Sequence, residues 1–177
     1  AIKEGIKENL NDIANIIESK EEPTFNNTIL ALENSGEMLN NVATVYFHLF
    51  GSESNQEFQA LADAISPKLA KLNNDINLNE KLFSRVKKIY NSYLDDMNVD
   101  ERRLTELAYK GFVRNGAKLS DLDKDSLRKI DEKLSKLSPK FSNNNLNATN
   151  SYELWLNEND LDGLPDLAKE TAKNAAK

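Results

Sequence analysis

A chain of 177 residues, 39% of them hydrophobic, is long enough for one ordinary core, and no uncharged apolar run is long enough to cross a membrane. The absence of cysteine excludes disulfides, thiolate zinc sites and cysteine nucleophiles. The net charge of −6 is uneven, because acidic residues prevail in positions 1–80 and basic residues in positions 81–140. Since both signs interleave at helical spacing in the basic part, we expect a solvated helix face. One domain with neither a nucleic-acid nor a membrane partner is predicted.

The beginning of the chain has the pattern of an amphipathic helix that ends near Lys20, before the helix breaker Pro23. Its apolar stripe consists of Ile2, Ile6, Leu10, Ile13 and Ile17. These residues offer neither the basic start nor the apolar block of a signal peptide, and there is no initiating methionine. We therefore expect the chain to begin inside a longer protein.

Residues 24–51 form the most apolar stretch, with apolar residues at alternating steps of four and three. This spacing predicts one helix of roughly 35 Å, capped by Asn26 or Asn27 and ended by Gly51. Its second half is apolar nearly all round, which predicts burial. Gly36, inside the stretch, indicates a close contact with a neighbouring helix more than the approach of a ligand.

Capping residues mark the starts of the next helices. Residues 54–57, Ser-Asn-Gln-Glu, form a capping box for a third helix that Pro67 should kink, and Asn79 is the predicted cap of a fourth. A fifth helix is predicted over residues 101–114, where Asn115 and Gly116 stop it.

The sixth predicted helix starts at Ser120 and should bend at Pro139. It carries an apolar stripe at steps of three and four residues, which consists of Leu127, Ile130, Leu134, Leu137 and Phe141. Residues 152–157 then alternate in period two, which predicts a short strand with partners elsewhere. The predicted fold is therefore all-α, an elongated antiparallel multi-helix array with one short strand near its C-terminal end.

Few residues of the sequence suggest catalytic chemistry. His48 is the only histidine and lies on the most apolar helix, which favours a packed or rim histidine over a metal ligand or a general base. Without a second histidine or a cysteine, a structural zinc site is excluded. The densest carboxylates, Asp95-Asp96 and the group of Asp121, Asp123 and Asp125, lack the spacing of a calcium loop and favour helix-start acids. We predict no catalytic residue, no cofactor-binding residue and no metal ligand in this chain.

Five segments carry a family resemblance when they are taken in order. They are Pro-Thr-Phe-x-Asn-Thr-Ile-x-Ala-Leu-Glu-x-Ser-Gly at 23–36, Ile-x-Pro-x-Leu at 65–69, Leu-Asn-x-x-Leu-Phe at 78–83, Phe-x-Arg-x-Gly-Ala at 112–117 and Lys-Leu-x-x-Leu-x-x-x-Phe at 133–141. Together they resemble the amino-terminal part of bacterial peptidyl-dipeptidases and the related oligopeptidases of the thimet oligopeptidase family. Two further segments, residues 35–39 and 47–51, are more similar to the peptidyl-dipeptidases than to oligopeptidase A.

The resemblance implies a zinc metallopeptidase of roughly four times this length. Two helical halves would enclose a deep channel for short peptides, with the zinc-binding His-Glu-x-x-His helix in the later half. Residues 1–177 would then be the N-terminal channel-wall domain, inactive alone, with zinc present only in the full-length parent. The implied partners are the missing C-terminal catalytic half and short peptides, in a monomer. We expect a cytoplasmic location, with the periplasm as the alternative.

A different class of function is a free-standing helical interaction module whose exposed groove binds a partner helix. The gene beyond Lys177 separates the two hypotheses, because only the peptidase requires a later His-Glu-x-x-His motif.

Overall fold

The computed structural model describes residues 1–52, 55–92 and 94–176, and these residues are almost entirely helical. The predicted all-α class is confirmed. The helices are α1 (Ile2–Glu18), α2 (Ala31–Asn34), α3 (Glu37–Ser52), α4 (Gln56–Asn77), α5 (Glu80–Ser92), α6 (Val99–Arg114), α7 (Asp121–Asn150) and α8 (Asp166–Ala175). A π-helical segment, Phe25–Leu30, precedes α2, and 3₁₀ turns occupy Leu94–Asp96 and Glu158–Leu161. None of the described helices combines the length and the apolar character that a bilayer span needs.

The chain divides into two compact units, Ala1–Phe141 and Ser142–Lys177. The main core of the first unit joins α1, the π-helical segment, α5 and α6, and it includes Ile13, Ile16, Ile29, Leu82, Phe83, Val86, Ile89, Phe112 and Ala117. A smaller cluster joins α3 to α4 through Tyr46, Ala62 and Ile65. The Tyr46 hydroxyl donates a 2.6 Å hydrogen bond to the Phe58 carbonyl, and burial, with the nearby Asp63 charge, raises the pKa of Tyr46. This hydrogen bond satisfies the hydroxyl group of the buried Tyr46 side chain.

The single long helix predicted for residues 24–51 is wrong, because the chain breaks at Ser35 and Gly36. Ser35 is extended, with ψ of 136°, and Gly36 has a positive φ of 71°. A Cβ atom at Gly36 would lie 2.2 Å from Nδ2 of Asn9 on α1, so the glycine makes room for the Asn9 side chain. The predicted close contact with a neighbouring helix is therefore confirmed. It lies at the point where the predicted long helix is interrupted.

The ends of this stretch also differ from the prediction. The N-cap is Thr24, and neither Asn26 nor Asn27 has this role. The Thr24 hydroxyl accepts from the backbone N–H of Asn27 at 3.2 Å. The Asn27 side chain accepts in return from the Thr24 N–H at 2.8 Å, which completes a capping box. The α3 helix continues through Gly51 to Ser52 without a left-handed turn.

The predicted all-round burial of this stretch is wrong as well. Tyr46 and Leu39 of α3 are buried, whereas Val45 is 60% exposed and Met38, Phe47 and Leu49 are also exposed. A helix at the edge of a packed unit buries one face, however apolar its other face is.

Other predicted helix boundaries are confirmed. The Asn79 side chain accepts from the Leu82 N–H at 3.0 Å, and Gly116, with φ of 95°, follows the end of α6. Ser120 accepts from the Asp123 N–H at 3.2 Å at the start of α7. The predicted capping residue Ser54 lies outside the described residues, and Asn55 caps α4 through the Phe58 N–H at 3.0 Å.

The predicted strand at residues 152–157 is wrong, since no strand is present in the part of the chain that the structure describes. The segment has no regular secondary structure and lies in the second unit. Period-two alternation suits an extended backbone, but a strand also needs a partner for its backbone hydrogen bonds.

Candidate functional site

The residues singled out for metal or acid–base chemistry lie apart. His48 is exposed on α3. Asp95 is paired with Arg102 at 3.0 Å, and Asp123 accepts a 2.7 Å hydrogen bond from Ser120. Asp121 and Asp125 are exposed in the first turns of α7. Among the described residues no group of three His, Cys, Asp or Glu side chains is placed to hold a metal ion, so these side chains do not fit a zinc site.

We expect His48→Ala to leave the zinc affinity of this chain unchanged, because one exposed imidazole is too few ligands for a tight site. Calorimetric titration of zinc into both proteins measures this. Stoichiometric zinc binding that the substitution abolishes would contradict the prediction.

Among the described charged residues of the first unit, Lys124 on α7 is the one that is buried. Its side chain is 8% exposed and pairs with Glu80 of α5 at 2.6 Å and with Asp121 at 3.8 Å. The hydrogen bond and the charge of Lys124 lower the pKa of the exposed Glu80 carboxyl. Because a buried ammonium needs a partner, Glu80 fixes the start of α7 against α5.

This pair predicts a pH-dependent stability. The folded-state pKa of Glu80 is lowered, so the stabilisation is fully present above the ordinary glutamate pKa and is lost as the pH falls through the lowered folded-state pKa. We expect Glu80→Gln to lower the melting temperature at pH 7, and we expect the difference from the parent chain to shrink as the pH falls below the ordinary glutamate pKa. The matched control is Glu132→Gln, which removes an exposed pair with Lys136 and should change little. Equal melting temperatures of parent and Glu80→Gln at pH 7 would contradict this prediction.

One face of α7 within the first unit, part of the predicted apolar stripe, is uncovered. It consists of Ile130, Leu134, Leu137 and Phe141, which we call the α7 seam; each is more than half exposed, and Phe141 is 75% exposed. Steps of four and three residues make this the spacing of a helix that packs against another helix. Leu127, at the start of the predicted stripe, is half-buried.

A groove of about 340 Å³ lies between α4, the end of α6 and α7. Its polar lining is rich in side-chain amides and hydroxyls: Asn73, Asn74, Asn77, Asn115, Ser135 and Ser138. Arg114 and Asp131 add one charge of each sign, and Ala70, Leu127 and Leu134 add apolar surface. We call this the α4–α7 groove. Sequence reasoning missed it, and the only signal was the repeated asparagine at 73, 74 and 77, one helical turn of amides.

The second unit has a smaller cleft of about 270 Å³ between residues 152–155 and the end of α8. Trp155 is 70% exposed there, and its indole N–H donates to Glu153 at 3.0 Å. The cleft is lined by Tyr152, Glu153, Leu154 and Trp155 and by alanines of the second unit.

No family model matches the chain. Curated relatives do. The chain is 38% identical over 160 residues to a dipeptidyl carboxypeptidase of Escherichia coli, a match that covers 89% of this chain and 23% of that protein. It is 34% identical over 162 residues to the dipeptidyl carboxypeptidase of Salmonella typhimurium. It is 27% identical over 180 residues to oligopeptidase A of Haemophilus influenzae, which covers 99% of this chain and 26% of that protein.

The chain spans about a quarter of the length of these relatives, 23% to 26%. The relatives bear the names of the two kinds of peptidase that the sequence motifs resemble, and the bacterial dipeptidyl carboxypeptidases have the higher identities. The resemblance read from the motifs is therefore confirmed: the chain is a homologue of the dipeptidyl carboxypeptidases and of the oligopeptidases A.

Proposed function

We propose that this chain is the N-terminal, non-catalytic part of a zinc-dependent peptidyl-dipeptidase or oligopeptidase and that it forms a wall of the peptide channel. The observation that carries the proposal is the extent of the match, which takes in 89% of this chain but only 23% of the dipeptidyl carboxypeptidase of Escherichia coli. Its own described side chains do not assemble a metal site. The zinc and the groups that activate water would come from the rest of the protein.

The α7 seam supports this proposal. Full burial of a leucine or phenylalanine side chain contributes roughly 1.5–3 kcal/mol, so four exposed members of one helical stripe are a strong site for packing. A further stretch of polypeptide, about three times as long as this chain by the coverage of the relative, would supply helices to cover it. We propose the monomeric enzyme as the assembled form and the cytoplasm as its location.

The seam also favours the second candidate, a free-standing interaction module, because an exposed apolar helix face equally suits a helix of another protein. In that case the occupant of the seam would come from a separate chain.

Reading the gene beyond Lys177 tests the proposal. We expect the open reading frame to continue and to encode His-Glu-x-x-His. A frame that closes shortly after Lys177 would contradict the peptidase proposal and leave the interaction module.

A further inference from the structure

We propose that residues 152–156 are a docking edge to which a strand of the polypeptide that follows α8 pairs in parallel. This inference rests on the proposed function, because only a longer protein supplies such a strand. We call residues 152–156 the open edge. The open edge and the end of α8 both lie within the second unit, Ser142–Lys177.

The backbone of the open edge is unpaired. The Tyr152 N–H donates to the Thr149 carbonyl at 3.3 Å, and the Asn157 N–H donates to the Asp160 carboxylate at 2.9 Å. Between these two turns, the N–H and C=O groups of residues 153–156 form no hydrogen bond within the described part of the chain. These residues are also exposed. A row of exposed, unpaired backbone groups is a template to which another strand can add.

The side chains of the open edge have the arrangement of an extended backbone. The Trp155 indole N–H donates to the Glu153 carboxylate at 3.0 Å, which places two residues in alternate positions on one face. Tyr152, Leu154 and Leu156 alternate with them and are 72%, 67% and 43% exposed. Edge strands that stay unpaired are usually protected by charged residues or proline, and the open edge has one charge. A neighbouring strand would cover its apolar side chains.

The course of the chain indicates where the added strand comes from. After the open edge, the chain passes through a 3₁₀ turn and α8. The end of α8 then returns to the open edge, because Ala172, Ala175 and Ala176 line the same cleft as residues 152–155. Residues that follow α8 therefore begin beside the first residues of the open edge. A helical crossover of this kind connects parallel strands.

The extent of the chain favours this occupant over a second copy. The chain spans 23% of the dipeptidyl carboxypeptidase of Escherichia coli, so in the proposed enzyme a long stretch of polypeptide follows α8. A strand that α8 connects to the open edge is present at a high effective concentration, whereas a second copy must associate from solution.

Amide hydrogen exchange of residues 153–156, resolved residue by residue by mass spectrometry, tests the inference. It compares the 177-residue chain with the longer polypeptide of the same open reading frame. In the 177-residue chain we expect these amides to exchange at the rates of an unstructured peptide at every concentration. In the longer polypeptide, alternate amides, either 153 and 155 or 154 and 156, should exchange at least about a hundredfold more slowly, because a strand bonds one neighbour through every second residue.

A double substitution, Leu154→Pro with Trp155→Pro, removes one N–H from each alternate set and keeps the backbone extended. In the longer polypeptide it should speed the exchange of the remaining amide of the paired set, Glu153 or Leu156, by at least about tenfold. The matched control, Leu154→Thr with Trp155→Thr, changes the same side chains but retains both N–H groups and suits a strand. This control should keep most of the protection, and circular dichroism establishes that each variant is folded.

Three results would overturn the inference. The first is equal exchange of these amides in the two polypeptides, and the second is equal protection in the proline and threonine variants. The third is protection in the 177-residue chain that increases with its concentration, since this would assign the open edge to a second copy.

The outcome is separable from the test of the proposed function. Protected amides in a longer polypeptide that lacks the zinc motif would uphold the added strand and overturn the peptidase. Unprotected amides in a longer polypeptide that has the motif would overturn the added strand alone. A reading frame that ends shortly after Lys177 would overturn both.

Discussion

The double substitution Leu137→Glu and Phe141→Glu is expected to weaken strongly the association of this chain with the C-terminal part of the proposed peptidase. These side chains are 58% and 75% exposed, so the folded chain loses little packing when they are changed. An interface that covers the α7 seam would lose two buried apolar groups and would have to bury two carboxylates. We expect at least about a hundredfold loss of affinity for the separately produced remainder.

The control is Leu122→Glu, a change of the same kind on the same helix. Leu122 is 81% exposed and does not belong to the seam. Sedimentation of the mixed chains measures association, and thermal unfolding establishes that the variants are folded. Equal association of the seam variant and the control would mean that the seam is not the interface.

The second large effect is expected from Gly36→Ala. Gly36 has φ of 71°, and a new Cβ would meet Nδ2 and Cγ of Asn9 at 2.2 and 2.6 Å. The left-handed backbone costs an alanine about 1–2 kcal/mol, and overpacking against a buried side chain adds roughly 1–3 kcal/mol. We therefore expect the free energy of unfolding to fall by roughly 2–5 kcal/mol in urea titration.

The matched control is Gly111→Ala, in the interior of α6. A Cβ at Gly111 meets nothing within 4 Å, and its φ is not positive. Alanine is the better helix residue there by about 0.5–1 kcal/mol, so this variant should be slightly more stable than the parent. Equal stability of the two variants would contradict the account of the break between α2 and α3.

The sequence predicts the helices well where local chemistry decides them. Asn79, Ser120 and Gly116 mark helix ends in the structure because side-chain caps and a left-handed glycine act within a few residues of the chain. The break at Gly36 was missed because the apolar spacing continues through it, while its cause, the approach of Asn9, lies 27 residues earlier in the chain.

Burial was harder to predict than helix formation. A periodic apolar stripe indicates which face of α7 packs against a partner. It does not indicate whether that partner lies within the same 177 residues. Residues 152–157 show the same difficulty, because their alternation predicts an extended backbone and cannot supply a neighbouring strand. The groove was missed since Asn74, Arg114 and Asp131 come from three helices that only the fold brings together.

The decisive measurement is the hydrolysis of a tetrapeptide that is blocked at its amino terminus only. It is made with this chain, with the proposed C-terminal part of the peptidase, and with the two mixed in the presence of zinc. The account predicts that this chain alone releases no product, and that the mixture releases a carboxyl-terminal dipeptide faster than the remainder does. Hydrolysis by this chain alone, or a remainder whose kcat/KM is the same with and without it, would contradict the account.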